Sequence, residues 1–361
     1  MALQGDEGVQ TERTLALLFA SATLSLPGGV LATGPNVIAP IQRTLDDYLA
    51  RRHDIEGVSA VFLHVDPGGP AIEAWSGSDG LRDNAPINGD TLFQIGSNTK
   101  HFEAAVALKL EADGKLDINQ TLGECGWFYS NTNNILAALI IEKASGLSLK
   151  GAFEKEFKRI GLHDTFYSAG RYPDAVLARV PAGIYKNAEC LSYQPAPCEH
   201  SVLAPLIGKD MRLQNLSWAG AAGAIVSNPR DLAKWVRALF GGRVIPQQQL
   251  DEMKKLVSQK TGNAVEHATE KEPAFGLDIV QAYKADLGGL FWFYEGTTLG
   301  YRCIFAYWPQ YDLVLTVATN SQPPQGEDQL GDFVLGRVLR ILTDAKVIKA
   351  LPAPGSARGA D

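Results

Sequence analysis

Ser97 and Lys100 stand three residues apart where an extended run, residues 91–95, gives way to a helical one, residues 101–113. Residues three apart share a helix face, so the hydroxyl and the ammonium can meet without help from the rest of the fold. A serine hydroxyl is a poor nucleophile until a base sits beside it, and a lysine can be that base if burial lowers its pKa. A helix start also aims backbone N–H groups and a positive dipole end at the place where an oxyanion would form. The competing reading is chance, since Ser-x-x-Lys is a short pattern, although this chain contains it only once. A second candidate is Tyr129, on a turn just ahead of a helical run at 135–144. From there a phenol can project into a cleft. It could equally be a packing residue at a helix start, with Asn131, Thr132 or Asn133 as the helix cap.

The elements needed to position these groups follow from periodicity. Residues 38–53 read as an amphipathic helix, with Ile41, Leu45, Tyr48 and Leu49 on one face. Residues 57–65 and 71–76 read as two strands around the turn Pro67-Gly68-Gly69-Pro70. Helices are expected at 150–157, 232–240 and 247–257, the second capped by Asn228 or Asp231. Strands at 275–282, 290–294, 301–308 and 313–320 and a last helix at 333–343 complete the chain. A helix, a hairpin and a short segment before Ser97, with a strand-rich C-terminal part, predict an α/β sandwich: an antiparallel sheet flanked by helices.

The chain has 361 residues and a net charge of −7, enough for one large domain and without the basic stripe that nucleic-acid binding requires. Residues 15–26 (LALLFASATLSL) are too short an apolar run to span a bilayer. They have the shape of a secretory core, which makes residues 1–32 a signal peptide cleaved near Ala32 and the protein periplasmic or secreted. Asp6 and Glu7 are atypical of a leader, and a buried N-terminal helix is the alternative. Cys190 and Cys198 flank a short loop and could bridge or stay free, as could Cys125 and Cys303. No Cys/His spacing suggests a metal, and no cofactor is implied.

The stretches FQIGSNTKHF (93–102), WFYSNTNNILAALIIEKASG (127–146), WAGAAGAIVSNPRDLAKWVRALFGG (218–242) and EGTTLGYRCIFAYWP (295–309) together resemble the beta-lactamase-related serine hydrolases. That group includes class C beta-lactamases, D-alanyl-D-alanine carboxypeptidases, D-aminopeptidases and esterases. The resemblance implies the beta-lactamase/transpeptidase-like fold: one domain over 33–350 with a helical sub-domain at about 100–260, and a flexible tail at 351–361. It implies Ser97 as nucleophile, with Lys100 and Tyr129 sharing the proton traffic. Backbone N–H groups of Ser97 and Thr297 would form the oxyanion hole. Asn131 would hold Lys100 or a substrate amide. Tyr294, Glu295 and Gly296 would occupy the third motif's place and contact substrate. A second Tyr-x-Asn, Tyr185 and Asn187, lacks a following helix.

Two departures stand out. The third motif usually carries Lys and Thr; here Tyr294 and Glu295 stand instead. A possible negative charge there disfavours carboxylate-bearing substrates such as penicillins. It favours neutral esters or amides, or a substrate with an amine near Glu295. Second, Tyr129 follows Lys100 by only 29 residues, with the sub-domain shortened between 116 and 127. A helix over 97–113 is about 25 Å long, and the residues from 114 to 128 can stretch roughly 50 Å, so the chain can return Tyr129 to Ser97. The contraction should leave apolar surface uncovered and the cleft more open. The expected protein is a serine hydrolase cleaving a small-molecule ester, amide or peptide through an acyl-enzyme. The alternatives are a D-aminopeptidase or carboxypeptidase, and a non-catalytic relative that binds peptide or peptidoglycan fragments.

Overall fold

The computed structural model describes residues 28–31, 37–118, 129–185, 204–321 and 330–348. Its centre is an antiparallel sheet with one helical layer on each face, the sandwich predicted above. Along the chain, the edge strand β1 (Gly28–Leu31) is followed by α1 (Ile38–Glu56), β2 (Ala60–Asp66) and β3 (Ile72–Gly77). The C-terminal part supplies β7 (Leu256–Ser258), β8 (Ala264–Val265), β9 (Ala274–Phe275), β10 (Val280–Lys284), β11 (Gly289–Thr298), β12 (Tyr301–Trp308) and β13 (Leu313–Thr319). Their spatial order is β1-β3-β2-β13-β12-β11-β10-β9-β7-β8. β1 lies within the residues assigned to the leader and pairs with β3; residues 1–27 and Ala32 lie outside the described residues.

Side chains alternate across each strand, which splits the core in two. Val61, Leu63 and Val65 of β2, with Ile304, Ala306 and Trp308 of β12, face α1 and the C-terminal helix α8 (Gly336–Asp344). Ala60 and Phe62, with Cys303 and Phe305, face the opposite layer. That layer holds α2 (Thr99–Ala112), α3 (Asn131–Ser145), α4 (Leu149–Ile160), the single turn α5 (Asp174–Leu177), α6 (Pro229–Phe240) and α7 (Gln247–Met253). Its centre is the stack of Phe102 on Trp235, with ring centroids 4.1 Å apart. Each such fully buried aromatic contributes about 1.5–3 kcal/mol by leaving water.

Local chemistry explains the helix ends. Asn228 caps α6, accepting from Asp231 N–H at 2.9 Å, and Pro229 fits the first turn, where its missing donor costs nothing. The cap of α3 is Ser130, accepting from Thr132 N–H, rather than Asn131, Thr132 or Asn133; α3 begins four residues earlier than its apolar pattern suggests. Short polar residues open the helix, so apolar periodicity alone misses its first turn. The last helix opens with a π-helical stretch, Leu330–Leu335. Ile135, Leu136, Leu139 and Ile140 are exposed on α3, so apolar surface is indeed uncovered there.

Candidate active site

A second, small sheet of β4 (Phe93–Gln94), β6 (Ile225–Ser227) and β5 (Phe166–Tyr167), with β6 central, delivers the nucleophile candidate. A 3-10 turn, Gly96–Asn98, joins β4 to α2. Three contacts fix it. Ile95 N–H donates to Ile225 O at 3.0 Å, Asn98 Nδ2 donates to Cys303 O at 2.9 Å, and Thr99 Oγ1 accepts from Ile225 N–H at 3.1 Å. Gly96 is in the left-handed region at φ 51°, which suits glycine. A Cβ on Gly96 would come within 2.6 Å of Thr297 N, and one on Gly296 within 2.7 Å of Ser97 N. The turn and β11 therefore touch backbone to backbone. The amide nitrogens of Ser97 and Thr297 both lie along that seam, where two N–H donors can serve one oxygen.

Lys100 is buried, and its Nζ donates to Ser97 Oγ at 2.9 Å and to Ala222 O at 2.8 Å. Ser97 itself is half-buried, and its Oγ lies 3.0 Å from Tyr129 OH. Lys100 Nζ sits 5.1 Å from the centroid of the Tyr129 ring, within cation–π range. The structure thus brings Ser97, Lys100 and Tyr129 into one hydrogen-bonded group, despite the short interval between Lys100 and Tyr129. Tyr294, on β11, is buried and lines the same cleft as Tyr129, of about 530 Å³. Burial, then the nearby Asp278 and Tyr129, push the Tyr294 phenol well above its ordinary range.

Two other sequence candidates lie elsewhere. Glu295 does not face Ser97. Strand alternation turns its side chain to the far face of the sheet, beside Phe291, Ile304 and Trp308, where it pairs with Arg302. An amine near Glu295 would therefore be on the far side of β11 from Ser97, and the expectation that this carboxylate meets substrate is corrected. Asn131 is exposed at the first position of α3. The contacts expected of it fall elsewhere: Lys100 is held by the Ala222 carbonyl, and the buried amide of this helix is Asn134. Asn187, Cys125, Cys190 and Cys198 lie outside the described residues. Tyr185 is buried in the core away from the group, and Cys303 is a buried thiol pushed up by burial.

Sequence reasoning missed an acidic pair at the cleft. Asn134 Nδ2 donates to Glu103 Oε2 at 2.7 Å and to Asp278 Oδ2 at 3.0 Å. Asp278 and Asn134 line the cleft beside Tyr129 and Tyr294. Burial pushes Glu103 up to about 8, with the charge of Asp278 adding to it and the Asn134 bond and Lys100 working against it. Burial raises Asp278 as well, again opposed by Lys100. Glu103 had a signal: it follows Lys100 by three residues on a core helix face. Asp278 had none, being a loop residue before β10.

A sequence profile described as Beta-lactamase matches residues 41–125 and 123–339. The chain belongs to the Beta-lactamase family. The two matched segments meet at 123–125, inside the shortened interval. Among solved structures, the D-amino acid amidase from Ochrobactrum anthropi SV3, complexed with L-phenylalanine amide, is similar at TM-score 0.65 and 23% identity, covering 86% of this chain and 99% of that one. A D-stereospecific amidohydrolase from Streptomyces sp. aligns at TM-score 0.61 and 21% identity, over 84% of this chain and 97% of the other. A beta-lactamase/D-alanine carboxypeptidase from Pseudomonas syringae aligns at TM-score 0.63 and 14% identity, over 86% and 98%. At these identities the likeness is one of fold.

Proposed function

We propose that this Beta-lactamase-family chain is a serine hydrolase that cleaves an ester or amide through an acyl-enzyme on Ser97. The observation that carries the reading is the group around Ser97 Oγ, with Lys100 Nζ at 2.9 Å and Tyr129 OH at 3.0 Å. Ser97 Oγ attacks the carbonyl carbon while its proton passes into the Lys100–Tyr129 pair. The Ser97 and Thr297 amides receive the oxyanion. The C–O or C–N bond then breaks, and Tyr129 returns the proton to the leaving group. Water reverses the sequence and frees Ser97. The polar rim of the cleft is neutral or acidic, which suits neutral esters and amides and disfavours a substrate carboxylate.

A second reading, an amidase or aminopeptidase acting on an amine-bearing substrate, is favoured by one observation. Asp278 lines the cleft beside Tyr129, where a carboxylate can meet a substrate ammonium. The D-amino acid amidase and the amidohydrolase among the similar folds fit this reading. The natural site of action is proposed to be periplasmic or extracellular, on the strength of the leader-like residues 15–26.

A fluorophosphonate probe tests the main proposal. It should label the folded protein and fail to label Ser97→Ala. Folded wild-type protein that stays unlabelled would instead make the chain a non-catalytic, peptide-binding relative.

A further inference from the structure

We propose that Asn98 is a positioning residue that sets the oxyanion hole: its side-chain amide ties the Ser97 turn to the large sheet and keeps the Ser97 and Thr297 amides trained on one oxygen. This rests on the reading of Ser97 as nucleophile. It adds to that reading a role for a residue that the Ser-x-x-Lys pattern leaves unspecified.

The two halves of the hole belong to different elements. The Ser97 amide is in the 3-10 turn Gly96–Asn98, and the Thr297 amide is on β11. The turn rests on Gly296, where a Cβ would come within 2.7 Å of both Ser97 N and Asn98 N. No side chain at that contact keys the turn into the strand, so the spacing of the two amides depends on tethers nearby. Two of these, Ile95 N–H and Thr99 Oγ1, reach Ile225 of β6, in the small sheet. The Asn98 amide reaches the large sheet, which carries Thr297.

Asn98 is fully buried, and both hydrogens of its amide are used. Nδ2 donates to Ile95 O at 3.1 Å, which closes the turn on itself, and to Cys303 O at 2.9 Å on β12. Cys303 is the register partner of Gly296. The anchor therefore stands beside the glycine on which the turn rests, and Thr297 is the next residue along β11. Asn98 Oδ1, by contrast, is buried without a partner. An unpaired buried acceptor lowers stability. An aliphatic side chain would fill the space without that cost, so what asparagine adds here is its pair of donors. Asn98 carries no charge and acts through the amide of Ser97, and a small misplacement of such a donor is enough to slow the chemical step.

Two variants test this. Asn98→Leu and Asn98→Ala both remove the donors, but only leucine refills the space. Single-turnover kinetics with a short acyl ester separate acylation from ester binding. In both variants acylation should slow roughly tenfold or more, with ester affinity changed less than about twofold. A simple alkylboronic acid reads the hole directly: Ser97 Oγ bonds to boron, and a boron hydroxyl then lies where the oxyanion forms. Its affinity should fall by the same factor as the acylation rate. Wild-type acylation in Asn98→Leu, with a loss only in Asn98→Ala, would make Asn98 a packing residue and overturn the proposal. So would acylation that slows while boronic acid affinity holds, or ester affinity that falls as far as acylation. If Asn98→Leu fails to fold, Asn98→Ala decides by the boronic acid comparison alone. Turnover that persists in Ser97→Ala would sink the underlying reading instead, whatever the Asn98 variants do.

Discussion

Two buried carboxylates, Glu73 and Glu103, lie on the same side of the sheet and are treated in opposite ways. Glu73 on β3 sits directly across from His64 on β2. It accepts from His64 Nδ1 at 2.8 Å and from Arg230 Nε and Nη2, both at 2.6 Å. Burial alone would raise its carboxyl, but the Arg230 and His64 hydrogen bonds and charges outweigh it and hold it down at about 2. Glu103 has one hydrogen-bond donor, Asn134, which it shares with a second acid. Its other oxygen is buried without a partner, and the group is pushed up to about 8. Glu73 ties α6 to the sheet and has its charge satisfied. Glu103 lies one hydrogen bond behind Asn134, which lines the cleft, and lacks the partners that would hold it charged. Buried polarity with partners serves stability here, and buried polarity lacking them marks the site, where stability is given up for chemistry.

The comparison can be broken most sharply at Glu73. Glu73→Gln removes the anion and leaves the Arg230 guanidinium facing a neutral group. It should lower stability by about 3 kcal/mol at pH 7, read from denaturant melts, with kcat/KM nearly unchanged. The pH dependence has a definite sign. Because the folded pKa of Glu73 lies below its unfolded value, its contribution is present above about pH 4.5 and lost as pH falls toward 2. The gap between wild type and variant should therefore close in acid. A gap that stays constant down to pH 2 would assign the loss to packing.

Glu103 should behave in the opposite sense. Its folded pKa is raised, so the unfolded chain ionises first, and wild-type stability falls as pH climbs from about 4.5 to about 8. Glu103→Gln abolishes that slope and should make the protein about 4 kcal/mol more stable than wild type at pH 8, with the two matched near pH 4.5. Destabilisation at pH 8 would show that Glu103 is satisfied after all, and the contrast with Glu73 would fail.

Much of this was legible in the chain. The strands around 60–66 and 301–308 were legible as apolar runs, whereas their division between two core faces follows from the fold. Ser97, Lys100 and Tyr129 were legible because a nucleophile at a strand-to-helix turn leaves a short local pattern. The third motif was half legible. Adjacent residues on a strand face opposite ways, and nothing in the letters says which of Tyr294 and Glu295 looks inward; the register against β12 decides it. Asn131 was singled out by its place in a motif, whereas α3 turns Asn134 inward as its buried amide. The Ala222 carbonyl that holds Lys100 and the loop acid Asp278 were invisible. A backbone oxygen has no sequence signature, and Asp278 meets the cleft only through the fold.

The account stands on a covalent bond at Ser97. Mixing the wild-type protein with a short acyl ester, quenching in acid and weighing the intact chain tests it most directly. The account predicts a population heavier by one acyl group, with peptide mapping placing that group on Ser97, and no such species in Ser97→Ala. Ester turnover with no acyl adduct, or an adduct carried on another residue, would contradict it.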